Sequence, residues 1–234
     1  MKTLGLLGGM SWESSVVYEK IINEAVRDAL GGVASADLII RSFNFADIER
    51  LQAQGKWDEA GEVLAGAAQH LERAGAQAIV LCTNTMHQVA EAIDASISVP
   101  LLHIVDATGE AIREAGVKRV ALLGTRYTME QPFYRDALSQ RYDLDVLVPS
   151  EQDRETIHHI IYDELVQGII NPASRDQVMD IITRMSREEG ITGVIAGCTE
   201  IELLVAADDI DSAYFPTTTL HAQYAADFAV EGGE

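Results

Sequence analysis

Short, continuously apolar runs that end in glycine or a small polar residue alternate along this chain with longer stretches of helical period. Strands are predicted at residues 3–8, 37–43, 78–81 and 100–104, with helices at 14–30, in segments running to residue 73, at 86–95 and at 107–115. Gly31-Gly32 and Gly75 supply stops at two of the helix ends. A second round follows: strands at 119–123, 144–148 and 193–196, and helices at 129–141, 154–189 (interrupted at Asn171-Pro172), 200–207 and 220–230. Runs such as Ala78-Ile79-Val80-Leu81 and Val120-Ala121-Leu122-Leu123 carry no polar alternation, as expected where helices cover both faces of a parallel sheet. The class is α/β.

The chain also repeats itself. Val120-Ala121-Leu122-Leu123-Gly124 matches Leu4-Gly5-Leu6-Leu7-Gly8 at an offset of 116, and residues 189–200 match 74–85 at an offset of 115. Two strand-turn-helix units recurring at nearly one spacing imply two similar α/β halves, each a short doubly wound parallel sheet, with one residue's difference absorbed in a loop. The second offset makes Thr83 the counterpart of Cys198, each at the point where a buried strand gives way to a helix. Ligands of open parallel sheets bind outside the carboxyl ends of the strands. Halves facing each other would hold one small ligand between Thr83 and Cys198, an arrangement suited to inversion at a carbon.

Composition narrows the partners. With 234 residues and 47% of them hydrophobic, the chain is an ordinary globular one, able to bury on the order of 70% of its unfolded surface. A formal net charge of −20 repels phosphate backbones and anionic headgroups. No basic stripe compensates, so neither nucleic acid nor a membrane is expected as a partner. Only four of the 17 basic residues are Lys, a skew read as compositional bias. The two cysteines lie far apart, and the apolar run 4–10 is short with no cleavage site after it, so free thiols in a reducing cytoplasm are expected. The six histidines show no zinc-ligand spacing with Cys or carboxylates, and no metal is expected.

Cys198 stands in Gly197-Cys198-Thr199-Glu200, and a thiol at a helix start is expected to be acidified by the positive end of the helix dipole, so that a thiolate could act as a base. Cys82, one residue before Thr83, points to the opposite face of its strand and is read as structural. The turns Gly8-Gly9-Met10-Ser11 and Gly124-Thr125-Arg126-Tyr127 allow close backbone approach and offer N–H groups to a carboxylate. They lack the dinucleotide fingerprint and the phosphate-loop lysine, which disfavours NAD and ATP. Asn84, Thr85 and Thr199 add polar groups at the same level, where capping of the next helix is an equally good reading.

These residues resemble the aspartate/glutamate racemase family, amino-acid racemases that work without pyridoxal phosphate. The likeness runs through Leu6-Leu7-Gly8-Gly9-Met10-Ser11-Trp12-Glu13-Ser14, Cys82-Thr83-Asn84-Thr85-Met86-His87, Leu123-Gly124-Thr125-Arg126-Tyr127-Thr128-Met129 and Gly197-Cys198-Thr199-Glu200-Ile201. It implies two subdomains related by pseudo-twofold symmetry, residues 1–102 plus 211–234 and residues 103–210, with the C-terminal helix returning to the first. It further implies an active site between them, no cofactor, a small amino-acid substrate and a homodimer. Two-cysteine members carry Cys directly before the Asn-Thr of the first half; here that position is Thr83, so the chain resembles the Thr/Cys subgroup specific for L-aspartate and L-glutamate. Relatives usually carry Asp where this chain has Pro216.

The resemblance assigns α-proton transfer to Cys198 and Thr83, the thiolate taking the proton of the L-amino acid and the hydroxyl serving the opposite face. By the same analogy Met10, Gln52, Asn84, Thr85, Thr125, Thr199 and Glu200 bind substrate, with Glu164 available to the ammonium group. Two other readings remain open on sequence: a one-thiol decarboxylase or isomerase of the same superfamily, and an amino-acid binding module that has lost inversion.

Overall fold

The computed structural model of the chain describes residues 1–231. The strands are β1 (Leu4–Gly8), β2 (Leu38–Ser42), β3 (Ala78–Leu81), β4 (Leu101–Leu102), β5 (Arg119–Gly124), β6 (Asp145–Leu147), β7 (Gly193–Gly197) and β8 (Ala213–Pro216). The helices are α1 (Trp12–Leu30), α2 (Phe45–Ala53), α3 (Trp57–Arg73), α4 (Ala90–Asp94), α5 (Ile104–Glu114), α6 (Arg126–Glu130), α7 (Pro132–Tyr142), α8 (Glu151–His159), α9 (Pro172–Glu189), α10 (Ile201–Leu204) and α11 (Thr217–Val230). They form two units, one made of Met1–Ile104 with the chain from Thr218 onward, the other of Val105–Thr217.

Each unit holds one four-stranded sheet, ordered β2-β1-β3-β4 in the first and β6-β5-β7-β8 in the second, and all the pairings are parallel. The strand order is the same in both, second, first, third, fourth, so the sequence repeat is a repeat of topology. In the first unit the alternating residues Leu4, Leu6, Ala78, Val80 and Cys82 pack with α1 and the alanines of α11. Leu7, Ile79 and Leu81 face the other way, onto α2 and α3. That two-sided burial explains why these strands read as unbroken apolar runs. In the second unit Ala121, Leu123, Val194 and Ala196 pack onto α8, α9 and α10.

Three segments depart from the sequence expectation. Residues 213–216 form β8, paired with β7 at the edge of the second sheet, so this strand belongs to the second unit and the expected division before residue 211 falls too early. Pro216, which cannot donate to a ladder, sits at the last residue of that edge strand, where it interrupts nothing. The helix expected over 200–207 is the single turn α10. The long helical stretch beginning near 154 breaks earlier than Asn171-Pro172: α8 runs into a π-helical turn at Ile160–Glu164 and a 3-10 turn at Leu165–Gln167.

A buried polar cluster ties the first unit together. His221 Nε2 donates to the Leu102 carbonyl (2.8 Å), leaving Nδ1 to accept from the Tyr18 hydroxyl (2.8 Å). One imidazole thereby fixes α11 to both α1 and β4.

Candidate active site

Each unit ends its two central strands in a polar turn, and the predicted residues collect there except Gln52, on α2, and Glu164, in the π-helical turn after α8. In the first unit, β1 leads through Gly9 (φ +83°) into Ser11, the N-cap of α1, whose side chain accepts from the Ser14 N–H. A Cβ on Gly9 would collide with the backbone N and O of Phe43, so only glycine fits that turn. The Gly9 N–H itself is held by the Ser15 hydroxyl at 2.7 Å. Met10 is buried in the same apolar cluster as Met86.

Thr83 lies two residues beyond the end of β3 and is buried, its N–H returning to the Leu81 carbonyl. Its own carbonyl accepts from His87 Nδ1 at 2.7 Å, while His87 Nε2 accepts from the Ile104 N–H at 3.2 Å. With one ring nitrogen donating and the other accepting, the imidazole is neutral, and burial together with the nearby His103 and His221 rings pushes its pKa well below the usual histidine range. Sequence reading had passed over His87. Its signal was the spacing: a 3-10 turn at Thr85–Val89 brings the side chain of residue 87 back onto the carbonyl of residue 83. Gln52 reaches the same turn from α2, donating to the Met86 sulfur at 3.0 Å. Met10, Gln52, Thr83, Asn84 and Thr85 are all buried in this unit.

The second unit builds its turns differently. Gly124 and Gly197 are paired neighbours, and a Cβ on Gly124 would lie 2.7 Å from the Gly197 carbonyl oxygen. Thr125 and Cys198 follow as the first residues beyond the two strand ends. Thr125 caps α6, accepting from the Thr128 N–H at 3.2 Å. Cys198 is buried against Ile201 and Leu204, and its sulfur donates to Glu200 Oε2 at 2.9 Å. The same oxygen accepts from the Thr199 hydroxyl at 2.6 Å.

This arrangement corrects the expected acid thiol. Burial, and then the charge and hydrogen bond of Glu200, raise the Cys198 pKa well above the ordinary thiol value. The N–H groups of Glu200 and Ile201 pull downward, as a helix start should, but a single helical turn offers little dipole against those effects. The resting group is a thiol. Cys82 fits its structural reading: wholly buried in the apolar face shared with α1 and α11, its thiol is pushed upward by desolvation.

Glu164 closes the π-helical turn. Its Oε1 accepts from the Asn171 side chain at 3.1 Å, while Oε2 is buried without a hydrogen-bond partner. π-helical turns concentrate at functional sites. Among the described residues, no group of three His, Cys, Asp or Glu is placed to hold a metal ion, and no helix is long and apolar enough to cross a membrane.

Each parallel sheet ends in a buried polar turn, with Thr83 in the first and Cys198 in the second, at the strand ends where ligands of open α/β sheets bind. Residues 7–225 match the model of the Asp/Glu/hydantoin racemase family, and the chain belongs to that family. A candidate Asp/Glu racemase from Yersinia pestis is 49% identical, with 99% of this chain and 100% of that one covered and a TM-score of 0.92. An aspartate racemase homologue from Pyrococcus horikoshii OT3 is 35% identical over 99% of this chain and 100% of that one, with a TM-score of 0.86. A curated relative, the broad specificity amino-acid racemase RacX of Bacillus subtilis (strain 168), is 36% identical over 81 residues, which span 35% of each protein.

Proposed function

We propose that the protein is a cofactor-independent amino-acid racemase acting on aspartate, glutamate or a similar small amino acid, with Cys198 and Thr83 exchanging the α-proton on opposite faces of the substrate. The observation that carries this reading is the equivalence of the two residues: each is buried, and each follows the third strand of its own sheet in the same topology. Family membership and the relatives' racemase descriptions support it. Met10, Gln52, Asn84, Thr85, Thr125 and Thr199 are the proposed substrate contacts, and the unpartnered Glu164 oxygen is the proposed acceptor for the ammonium group.

A hydroxyl is an adequate acid towards a carbanion and a poor base in the reverse direction, so the two enantiomers should be handled unequally. Detailed balance forbids one-way racemisation. The asymmetry takes the form of fast solvent exchange of the α-hydrogen in the L-enantiomer with slower inversion.

The test is a panel of L- and D-amino acids in heavy water, followed by proton NMR with Cys198→Ala as the control. Deuterium uptake at Cα of an acidic L-amino acid that outpaces its inversion, and disappears in the control, is the expected result. Equal exchange and inversion rates from both enantiomers would remove the Thr/Cys asymmetry. Carbon dioxide release in place of exchange would point to a one-thiol decarboxylase.

A further inference from the structure

Thr83 has to present a hydroxyl at a fixed point, yet it stands between regular elements: β3 stops at Leu81 and the 3-10 turn begins at Thr85. Other bonds order this stretch. The Thr83 N–H turns back to the Leu81 carbonyl at 2.8 Å, and the Thr83 carbonyl takes the Nδ1–H of buried His87 at 2.7 Å. His87 grips the same turn through its backbone, its N–H donating to the Asn84 carbonyl at 3.1 Å. On the far side of the ring, Nε2 accepts from the Ile104 N–H at 3.2 Å, at the first residue of α5. The ring also packs edge-on to His103 and His221, with centroids 4.5 and 5.8 Å away. Because the Ile104 N–H occupies Nε2, the single ring hydrogen sits on Nδ1 and points at the Thr83 carbonyl. The imidazole is a strut between the start of α5 and the Thr83 turn.

The equivalent turn of the second unit is braced by backbone instead. There the Cys198 carbonyl receives the Ile201 N–H at 3.1 Å, and the position matching His87 in the repeat is Glu202.

We propose that His87 is a positioning residue for Thr83: by holding the Thr83 carbonyl it fixes the peptide between Thr83 and Asn84, and with it the direction in which the Thr83 hydroxyl is presented. This rests on the racemase reading above and names a group on which its Thr83 half depends. Without the Nδ1 donor that peptide can rotate, and a shift of about 1 Å at a proton-transfer group costs about 10²-fold in rate. Cys198 lies in the other unit, in a turn held by its own bonds, so exchange on its face of the substrate is retained. Loss of the strut therefore lowers inversion relative to exchange, whereas a general loss of folded protein lowers both together.

Two substitutions separate the ring nitrogens. Gln places its amide near Nε2, which keeps an acceptor for the Ile104 N–H and removes the donor to Thr83. Asn places its amide near Nδ1, which keeps that donor and gives up the Ile104 bond.

The experiment incubates the full chain with L-aspartate and L-glutamate in heavy water, wild type beside His87→Gln, His87→Asn and Thr83→Ala. α-Deuterium uptake into the L-enantiomer is followed by NMR, D-product by chiral chromatography, and thermal unfolding of each variant by circular dichroism. H87Q is expected to lower the ratio of D-product to uptake by about 10²-fold with uptake retained, as T83A does. H87N should recover about tenfold of that ratio even where it melts no higher than H87Q. An unchanged ratio in H87Q overturns the proposal. So does a parallel fall of uptake and D-product in both His87 variants, because His87 would then only support the fold. One measurement needs no variant: long-range proton–nitrogen NMR of histidine-labelled wild type should show His87 protonated at Nδ1, and protonation at Nε2 instead overturns the proposal. T83A that inverts as fast as wild type removes Thr83 from the reaction and the role of His87 with it. Wild type that takes up no deuterium from either acid overturns the racemase reading itself, and the positioning role falls too.

Discussion

The chemistry of single residues here is set by what encloses them. Cys82 and Cys198 follow equivalent strands, yet one packs wholly among the side chains of α1 and α11 while the other faces a carboxylate. Cys82→Ala should therefore cost about 1 kcal/mol of stability by leaving a small void, with α-deuterium uptake retained. Cys198→Ala should abolish uptake while leaving the folded baseline intact, and circular dichroism beside the NMR assay separates the two. Thr83→Ala is expected to keep exchange of the L-enantiomer through Cys198 and to lose inversion, read as deuterated L-product with no D-product. Gly9 is a backbone requirement rather than a chemical one. Gly9→Ala places a methyl group against the Phe43 backbone at a positive φ and should lower stability by about 2 kcal/mol or more in urea denaturation.

At the level of elements, the turns after the strands depend on neighbours from distant parts of the chain. The carbonyl of Ala196, near the end of β7, is held by the buried Thr217 hydroxyl at 2.7 Å, a contact made at the start of α11. Thr217→Val keeps the shape and removes the donor, so the midpoint of thermal unfolding should fall by about 2–8 °C, corresponding to about 1–2 kcal/mol for a protein of this size. Helices α1, α3 and α9 and the strands β1, β3, β5 and β7 were legible in the sequence because each carries its own period and stop signals. Strand β8 was not. It is four residues long, lies at an edge and ends in Pro216, and its three apolar residues are too short a run to mark a strand, so its pairing with β7 is a consequence of assembly. The π-helical turn before Glu164 was equally invisible, since widening a helix by one residue leaves its hydrophobic spacing almost unchanged.

For the whole molecule, charge and buried imidazole set the response to solution conditions. His87 is neutral in the folded chain, with a pKa pushed well below the ordinary value, whereas in the unfolded chain it takes a proton near pH 6.5. Between those points the unfolded state binds more protons. Stability is therefore complete above about pH 6.5 and falls as the pH drops below it, by up to about 1.4 kcal/mol per pH unit from this one group. Chemical denaturation at pH 7.5, 6.5 and 5.5 should show that loss, and His87→Gln should flatten it. With a net charge of −20, the folded chain also repels itself, and added salt should raise the unfolding temperature by screening.

Local pattern alone determined that this chain is α/β, that its halves repeat, and that Thr83 and Cys198 occupy matching turns, because hydrophobic period, glycine stops and a fixed offset are properties of the linear order. Whether Cys198 rests as thiol or thiolate was beyond that reach. A short helix start argued for the thiolate; the packed structure decided otherwise, because the free energy of a charge depends on the surrounding dielectric and on the carboxylate 2.9 Å away. The same holds for His87, whose neutral form follows from a carbonyl on one side and an amide on the other, partners that only folding brings to a single ring.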